Sequence, residues 1–172
     1  ISTSATGTIV VQGGTVTGAN AILPPVISFG SAAVYESATI TYQDATFDSN
    51  TNRVVIAYTD NGNSSYGTAI VGTVSGTSIS YGTPVVFESA TSSYIATTFD
   101  SNENKVVIAY RDDANSDYGT AIVGTVTGGG TNSISFGTPV VFETANSTYN
   151  SATFDSDSNK VVISYADGGN SG

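Results

Sequence analysis

The sequence predicts an all-β fold made of tandem four-stranded antiparallel units, and three observations carry that prediction. The first is a recurring pentapeptide. Thr46-Phe47-Asp48-Ser49-Asn50 returns as Thr98-Phe99-Asp100-Ser101-Asn102 and as Thr153-Phe154-Asp155-Ser156-Asp157, 52 and then 55 residues further on. Self-similarity at a near-constant period marks a repeat architecture. The second is composition by segment: runs rich in Val, Ile, Thr, Tyr and Phe alternate with clusters of Gly, Asn, Asp and Ser, the pattern of strands and turns. The third is that no window places apolar residues at helical spacing.

Each unit reads as four strands. Strand a is short and ends at Thr46-Phe47, and strand b is Val54-Val55-Ile56-Ala57-Tyr58. Strand c runs from Thr68 to Val74 and strand d from Ile79 to Phe87. Strand b is apolar on both faces, as expected of a strand covered on both sides. Strand d contains Pro84, and its copy contains Pro139. Proline donates nothing to a ladder, so these positions predict an edge or a bulge at Gly82-Thr83. The three-residue difference between copies lies after strand c, where SGTSIS in one copy becomes TGGGTNSIS in the next. An insertion confined to a Gly-rich stretch marks a loop.

The chain opens with partial matches. Gly7-Thr8-Ile9-Val10-Val11 resembles strand c, and Ile27 through Glu36 resembles strand d. The resulting division is a partial unit over 1–44, whole units over 45–96 and 97–151, and a partial unit over 152–172. The opening half-unit is expected to complete the closing one, within one molecule or between neighbours, which would cover sheet edges that otherwise aggregate.

Four-stranded units of about 50 residues resemble β-propeller blades, although no WD dipeptide and no paired kelch glycines stand in register. The resemblance implies a propeller-like fold. Three blade equivalents are fewer than the roughly four to eight that usually close a ring. A segment of a larger propeller, or completion by oligomerisation, is therefore expected. The first residue is Ile with no signal-peptide pattern before it, which points to processing or to a longer parent chain. The wording FDSNxNKVVIAY, YGTAIVGTV and SISFGTPVVFE, spread over residues 26–172, resembles repeats of marine phage tail-fibre and other virion proteins and of environmental bacterial surface proteins. That resemblance implies a virion or extracellular, cell-surface location.

Composition narrows function. Fourteen acidic residues stand against four basic ones, Arg53, Lys105, Arg111 and Lys160, for a net charge of −10. Nucleic acids and anionic membranes both require clustered cations, so neither is expected as a partner. There is no Cys and no His, which removes thiolate metal sites and the commonest general base. Asp112-Asp113 is the one adjacent carboxylate pair, and its second member is Asn61 or Gly168 in the other copies. Nothing selects a catalytic pair, and no enzymatic activity is expected.

Two repeated clusters are candidate sites. The a–b turn reads Asp48, Asn50, Asn52, then Asp100, Asn102, Asn104, then Asp155, Asp157, Asn159. Alternating oxygen ligands open calcium loops, so calcium is the candidate cofactor. The competing reading is a hairpin turn capped by Asp, with the last Asn left-handed; the Gly and bidentate Glu of an EF-hand are missing. The b–c loop places Asp60, Asn63 and Tyr66 together, then Asp112, Asn115 and Tyr118, and in part Asp167 and Asn170. An aromatic ring beside amide and carboxylate groups suits a sugar. The competing reading is scaffold, because residues kept in every repeat usually serve the fold.

The expected function is a structural or adhesive component of a phage tail fibre or virion appendage, with cell-surface glycans, further copies of the chain or other virion proteins as partners. A lectin-like carbohydrate-binding module and a bacterial extracellular filament or adhesin subunit are the alternatives.

Overall fold

The computed structural model describes residues 29–128, 130 and 132–170. The strand c match at Gly7–Val11 and the start of the strand d match at Ile27 lie outside the described residues, so the expected joining of the two half-units does too. Ten strands follow one another: β1 (Ile40–Asp48), β2 (Arg53–Asp60), β3 (Tyr66–Ser75), β4 (Ser78–Tyr81), β5 (Val85–Asp100), β6 (Lys105–Asp112), β7 (Tyr118–Thr127), β8 (Ser133–Phe136), β9 (Val140–Asp155) and β10 (Lys160–Asp167). All pair antiparallel in one sheet, ordered β1-β2-β3-β5-β6-β7-β9-β10, with β4 on β3 and β8 on β7. The sheet curls into a half-barrel.

Strands b and c fall where expected, as β2 with β3 and β6 with β7. Strand d is broken in two at Gly82-Thr83-Pro84. Tyr81 pairs with Gly72 and Val85 with Ala69, so the d side carries one residue more than β3 across this gap. The second copy repeats the offset, with Phe136 on Gly124 and Val140 on Ala121. This is the extra residue that the proline predicts.

Strand a departs from expectation. Its first copy is the separate nine-residue β1, but the two later copies are each the second half of a 16-residue strand. Val85–Thr91 pairs with β3, and Ser92–Asp100 pairs with β6. β9 behaves alike, pairing first with β7 and from Ser147 onward with β10. Strand d of one unit thus continues as strand a of the next. The unit boundaries read from sequence, at 44/45, 96/97 and 151/152, all fall inside strands. The curl brings the a-strands together: β1 packs on β5 and β5 on β9. Asp44 Oδ2 accepts from Thr97 N at 2.7 Å and from Thr97 Oγ1 at 3.1 Å.

The core lies under β2, β3, β6 and β7. Val55, Val71, Val106, Ile108 and Ile122 are buried. β10 alternates exposed and half-buried residues, and one of its edges is unpaired among the described residues. Phe29–Thr39, matched to strand d by sequence, forms no strand; the copies of that strand are held by β3 and β7, and the corresponding strand c match lies outside the described residues. Tyr35 nevertheless takes its repeat place. It meets Tyr58 at 5.4 Å and Tyr81 at 5.7 Å, as Phe87 meets Tyr110 at 5.2 Å and Phe136 at 5.8 Å.

The glycine of each Tyr-Gly-Thr at the start of strand c lies beneath one of these rings. A Cβ on Gly67 would sit 2.5 Å from the Phe87 ring, and one on Gly119 equally close to Phe142. At Gly137 the nearest atom would be 3.7 Å away. Overpacking of this kind costs about 1–3 kcal/mol. Urea unfolding is expected to show that loss for Gly67→Ala and for Gly119→Ala, and almost none for Gly137→Ala.

Candidate functional site

In every copy the a-strand carries a bulge opposite the last tyrosine of strand b. Thr41 pairs with Thr59 and Asp44 with Ala57, so Tyr42 and Gln43 together face Tyr58. Tyr94 and Ile95 face Tyr110, and Tyr149 and Asn150 face Tyr165, in the same way. The first bulge residue is always tyrosine and always left-handed, with φ of +48° at Tyr42, +50° at Tyr94 and +54° at Tyr149. For an L-residue that conformation costs roughly 1–2 kcal/mol.

Because the a-strands lie side by side, the three tyrosines form a row. Ring centroids are 5.0 Å apart between Tyr42 and Tyr94, and 5.3 Å apart between Tyr94 and Tyr149. Tyr42 is 44% exposed and Tyr149 76%, while Tyr94 is half-buried. The Arg111 guanidinium lies over the Tyr94 ring, 5.0 Å from its centroid. Its Nε donates to Asp113 Oδ1 at 2.7 Å, with Asp117 Oδ1 at 3.4 Å. The hydrogen bond to Asp113 raises the pKa of that guanidinium, so it stays a cation.

Beneath the bulge lie the strand b tyrosines, Tyr58 and Tyr110 buried and Tyr165 half-buried. Tyr110 stacks edge-on against Phe87 and donates to Glu88 Oε2 at 3.0 Å. Tyr165 packs on Phe142 and donates to Glu143 Oε2 at 2.9 Å. Tyr58 packs on Tyr35, but its buried hydroxyl has no hydrogen-bond partner among the described residues. Burial, followed by the charge of Glu88, pushes the Tyr110 phenol well above its ordinary value, and burial followed by the charge of Glu36 does the same at Tyr58.

The a–b turns are closed by their own hydrogen bonds. Asp48 Oδ1 accepts from Asn50 N and Thr51 N at 2.9 and 3.0 Å, and its Oδ2 from Thr51 Oγ1 at 2.7 Å. Asp100 accepts from Asn102 N and Glu103 N, and Asp155 from Asp157 N and Ser158 N. The Ser158 hydroxyl, with these two amides, holds the Asp155 carboxyl below its ordinary pKa. Asn52, Asn104 and Asn159 are left-handed, at +58°, +55° and +54°, as the hairpin reading requires. Among the described residues, no three His, Cys, Asp or Glu side chains gather where they could hold a metal ion.

The b–c loops hold the fold at the point where strand d becomes strand a. Asp60 Oδ1 accepts from Gly62 N and Asn63 N, Asp112 Oδ1 from Ala114 N and Asn115 N, and Asp167 Oδ1 from Gly169 N. Asn170 donates to Asp167 Oδ2. Left-handed residues Ser64-Ser65 and Ser116-Asp117 follow. Ser92 N donates to Ser65 O at 3.3 Å and Ser147 N to Asp117 O at 3.1 Å. From the other side, Asn61 N donates to Thr39 O, Asp113 N to Thr91 O and Gly168 N to Asn146 O. Tyr66 and Tyr118 begin β3 and β7 opposite Asp60 and Asp112, half-buried. The structure therefore gathers the proposed sugar residues into loops whose carboxylates already cap backbone amides. The row formed by Tyr42, Tyr94 and Tyr149 was missed, although its spacing of 52 and 55 residues was present in the sequence.

No protein family, curated protein or solved structure matches this chain.

The raised phenols set an alkaline limit. A tyrosine whose pKa is higher in the fold than the ordinary value near 10 stabilises the fold fully below that pH. The contribution is lost as pH rises from there toward the folded value, because the unfolded chain ionises first. Urea midpoints are expected to hold up to about pH 10 and then fall, each buried phenol adding up to about 1.4 kcal/mol per pH unit. Tyr110→Phe is expected to cost about 2 kcal/mol at pH 7 by leaving Glu88 without its donor, and to make the alkaline fall shallower.

Proposed function

We propose that the chain is a structural and adhesive repeat module of a virion appendage, such as a tail fibre, or of a cell-surface filament, and that it catalyses no reaction. The observation that carries this reading is the strand shared between successive repeats. β5 and β9 each belong to two units. Tension or torsion applied at one unit passes to the next along a covalent strand and its ladder, not through a flexible linker. That property suits a stalk or fibre, and it allows units to be added without changing the junction. A propeller-like arrangement of these units, closed or open, belongs to the same proposal: each unit keeps the order a, b, c, d, and its a-strands lie side by side.

The surface supports the reading as well. Only 10% of residues are charged, and exposed positions are largely Ser, Thr, Asn and Gly. The four cations are occupied in turn contacts or spread apart. Arg53 Nε, for example, donates to Asn132 Oδ1 of the next unit at 3.0 Å. A bacterial filament or adhesin differs from a virion part in source and not in physics.

Sedimentation and negative-stain electron microscopy of the purified protein, with an assay for adhesion to cells, test the proposal. Assemblies well above the 17.4 kDa chain are expected. Val162, 49% exposed on β10 beside the unpaired edge, is a point where charge opposes edge pairing. Val162→Lys is expected to shift the assemblies toward monomer. A wild-type monomer at every concentration that also adheres to nothing would sink the proposal.

A further inference from the structure

We propose that the row formed by Tyr42, Tyr94 and Tyr149 is a binding surface for a linear, neutral polysaccharide lying across the repeats. The inference rests on the adhesive reading above and names its ligand class. It begins from backbone strain. The first residue of a bulge that needs a positive φ is cheapest as Gly or Asn. The a–b turns of this chain follow that rule, with Asn52, Asn104 and Asn159 at their left-handed positions. At the bulge the chain instead carries tyrosine three times out of three. A bulky left-handed residue persists where the site has use for its side chain.

Core packing does not supply that use. Tyr149 is 76% exposed and Tyr42 is 44% exposed. The core beneath the bulge is already filled by Tyr58 and Tyr110, which are fully buried. What the strained conformation achieves is to set one phenol per repeat outside the sheet, 5.0 and 5.3 Å from the next. The Arg111 guanidinium stacked on Tyr94 and bound to Asp113 braces the middle of the row.

The surroundings select the ligand class. Neutral amides flank the rings: Gln43 follows Tyr42 in its bulge, Asn61 accepts from Thr41, and Asn146 accepts from Arg111. Rings with amide and hydroxyl neighbours fit the apolar faces and hydroxyls of sugars. The single cation at the row is neutralised by two aspartates, so no charged group is called for on the ligand. A surface that repeats one contact per unit fits a polymer that repeats as well, and weak contacts on one chain add by effective concentration. A folded protein partner would call for an aperiodic set of pockets.

Affinity gel electrophoresis with a linear glucan, mannan, xylan and galactan tests the proposal on the full chain, with urea midpoints measured alongside. Retardation by at least one polysaccharide is expected. Tyr149→Gly and Tyr42→Gly are each expected to weaken it about tenfold, the loss of a contact of about 1.4 kcal/mol. Both are expected to leave the urea midpoint equal or higher, because glycine relieves the strain. Tyr66→Phe, at the b–c loop, is expected to bind as the wild type does. No retardation by any of the four overturns the proposal, as does unchanged retardation in the two glycine variants. So does a lowered midpoint in both of them, which would make the row structural. If the protein assembles and adheres to cells through a protein receptor while ignoring every polysaccharide, this inference fails and the adhesive reading stands. If it neither assembles nor adheres, both fail.

Discussion

The clamp at the change of partner in the long strands is the constraint on which the rest depends. β5 leaves β3 after Thr91 and takes up β6 from Ser92. At that point its backbone would otherwise be half unpaired, and a buried unpaired amide or carbonyl costs free energy comparable to a lost hydrogen bond. Two b–c loops prevent this. Ser65 O receives the Ser92 amide from one side, and Asp113 N reaches Thr91 O from the other. Thr59 Oγ1 donates to Ser92 O as well. The arrangement recurs at Ser147 with Asp117 O and at Asn146 with Gly168 N. Neighbouring repeats are therefore hydrogen-bonded through both loops, and the sheet is continuous because of it.

The bulge, the buried tyrosine and the bare glycine follow from the same constraint. A strand that serves two partners must twist sharply where it changes between them, and an extra residue adds local twist. The bulge comes two residues after the change, at Tyr94-Ile95. The strand b tyrosine lies opposite it and reaches back to the preceding strand d, where it covers Phe87 and bonds Glu88. The ring of Phe87 in turn lies over Gly67 on strand c. One motif thus ties strands b, c and d of neighbouring units around each junction, and the letters Tyr-Gly-Thr and Phe-Glu recur because each is a part of it.

Which features were legible in the sequence follows from the kind of signal each leaves. Val54–Tyr58 and Thr68–Val74 are dense in β-branched and aromatic residues, and both are strands. The a–b turn was legible because Asp and Asn have strong local preferences. The long strands were not: ESATSSYIATT between Phe87 and Phe99 is rich in Ser, Thr and Ala with no clean alternation, since its residues change partner and face midway. Tertiary hydrogen bonds hold it extended, and they leave no mark on composition. Position 61, 113 or 168 leaves no side-chain signal, because it changes from Asn to Asp to Gly. Its role is carried by the backbone amide, which any residue but proline supplies. The tyrosine row was hidden for a related reason. Tyr42, Tyr94 and Tyr149 sit in the segment that did not read as strand, so their equal spacing had no structural frame.

Strain and exposure at the row add up by repeat, as stability does in this kind of architecture. Each unit bears its own left-handed tyrosine, at a cost of roughly 1–2 kcal/mol, and each has a strand b tyrosine packed on an aromatic ring to offset it. The clusters are not equal. Tyr110 is fully buried with its hydroxyl bonded to Glu88, whereas Tyr58 is fully buried with its hydroxyl unpartnered among the described residues and Tyr165 is only half-buried. The middle junction is therefore the best compensated, and it is also where the row is most enclosed, with Tyr94 between two rings and under Arg111. In a longer array every internal junction would resemble it, since each would have a neighbour on both sides. The strain that projects the rings is thus borne most easily where repeats are flanked by repeats, and the physical properties of the row belong to the array more than to any single unit.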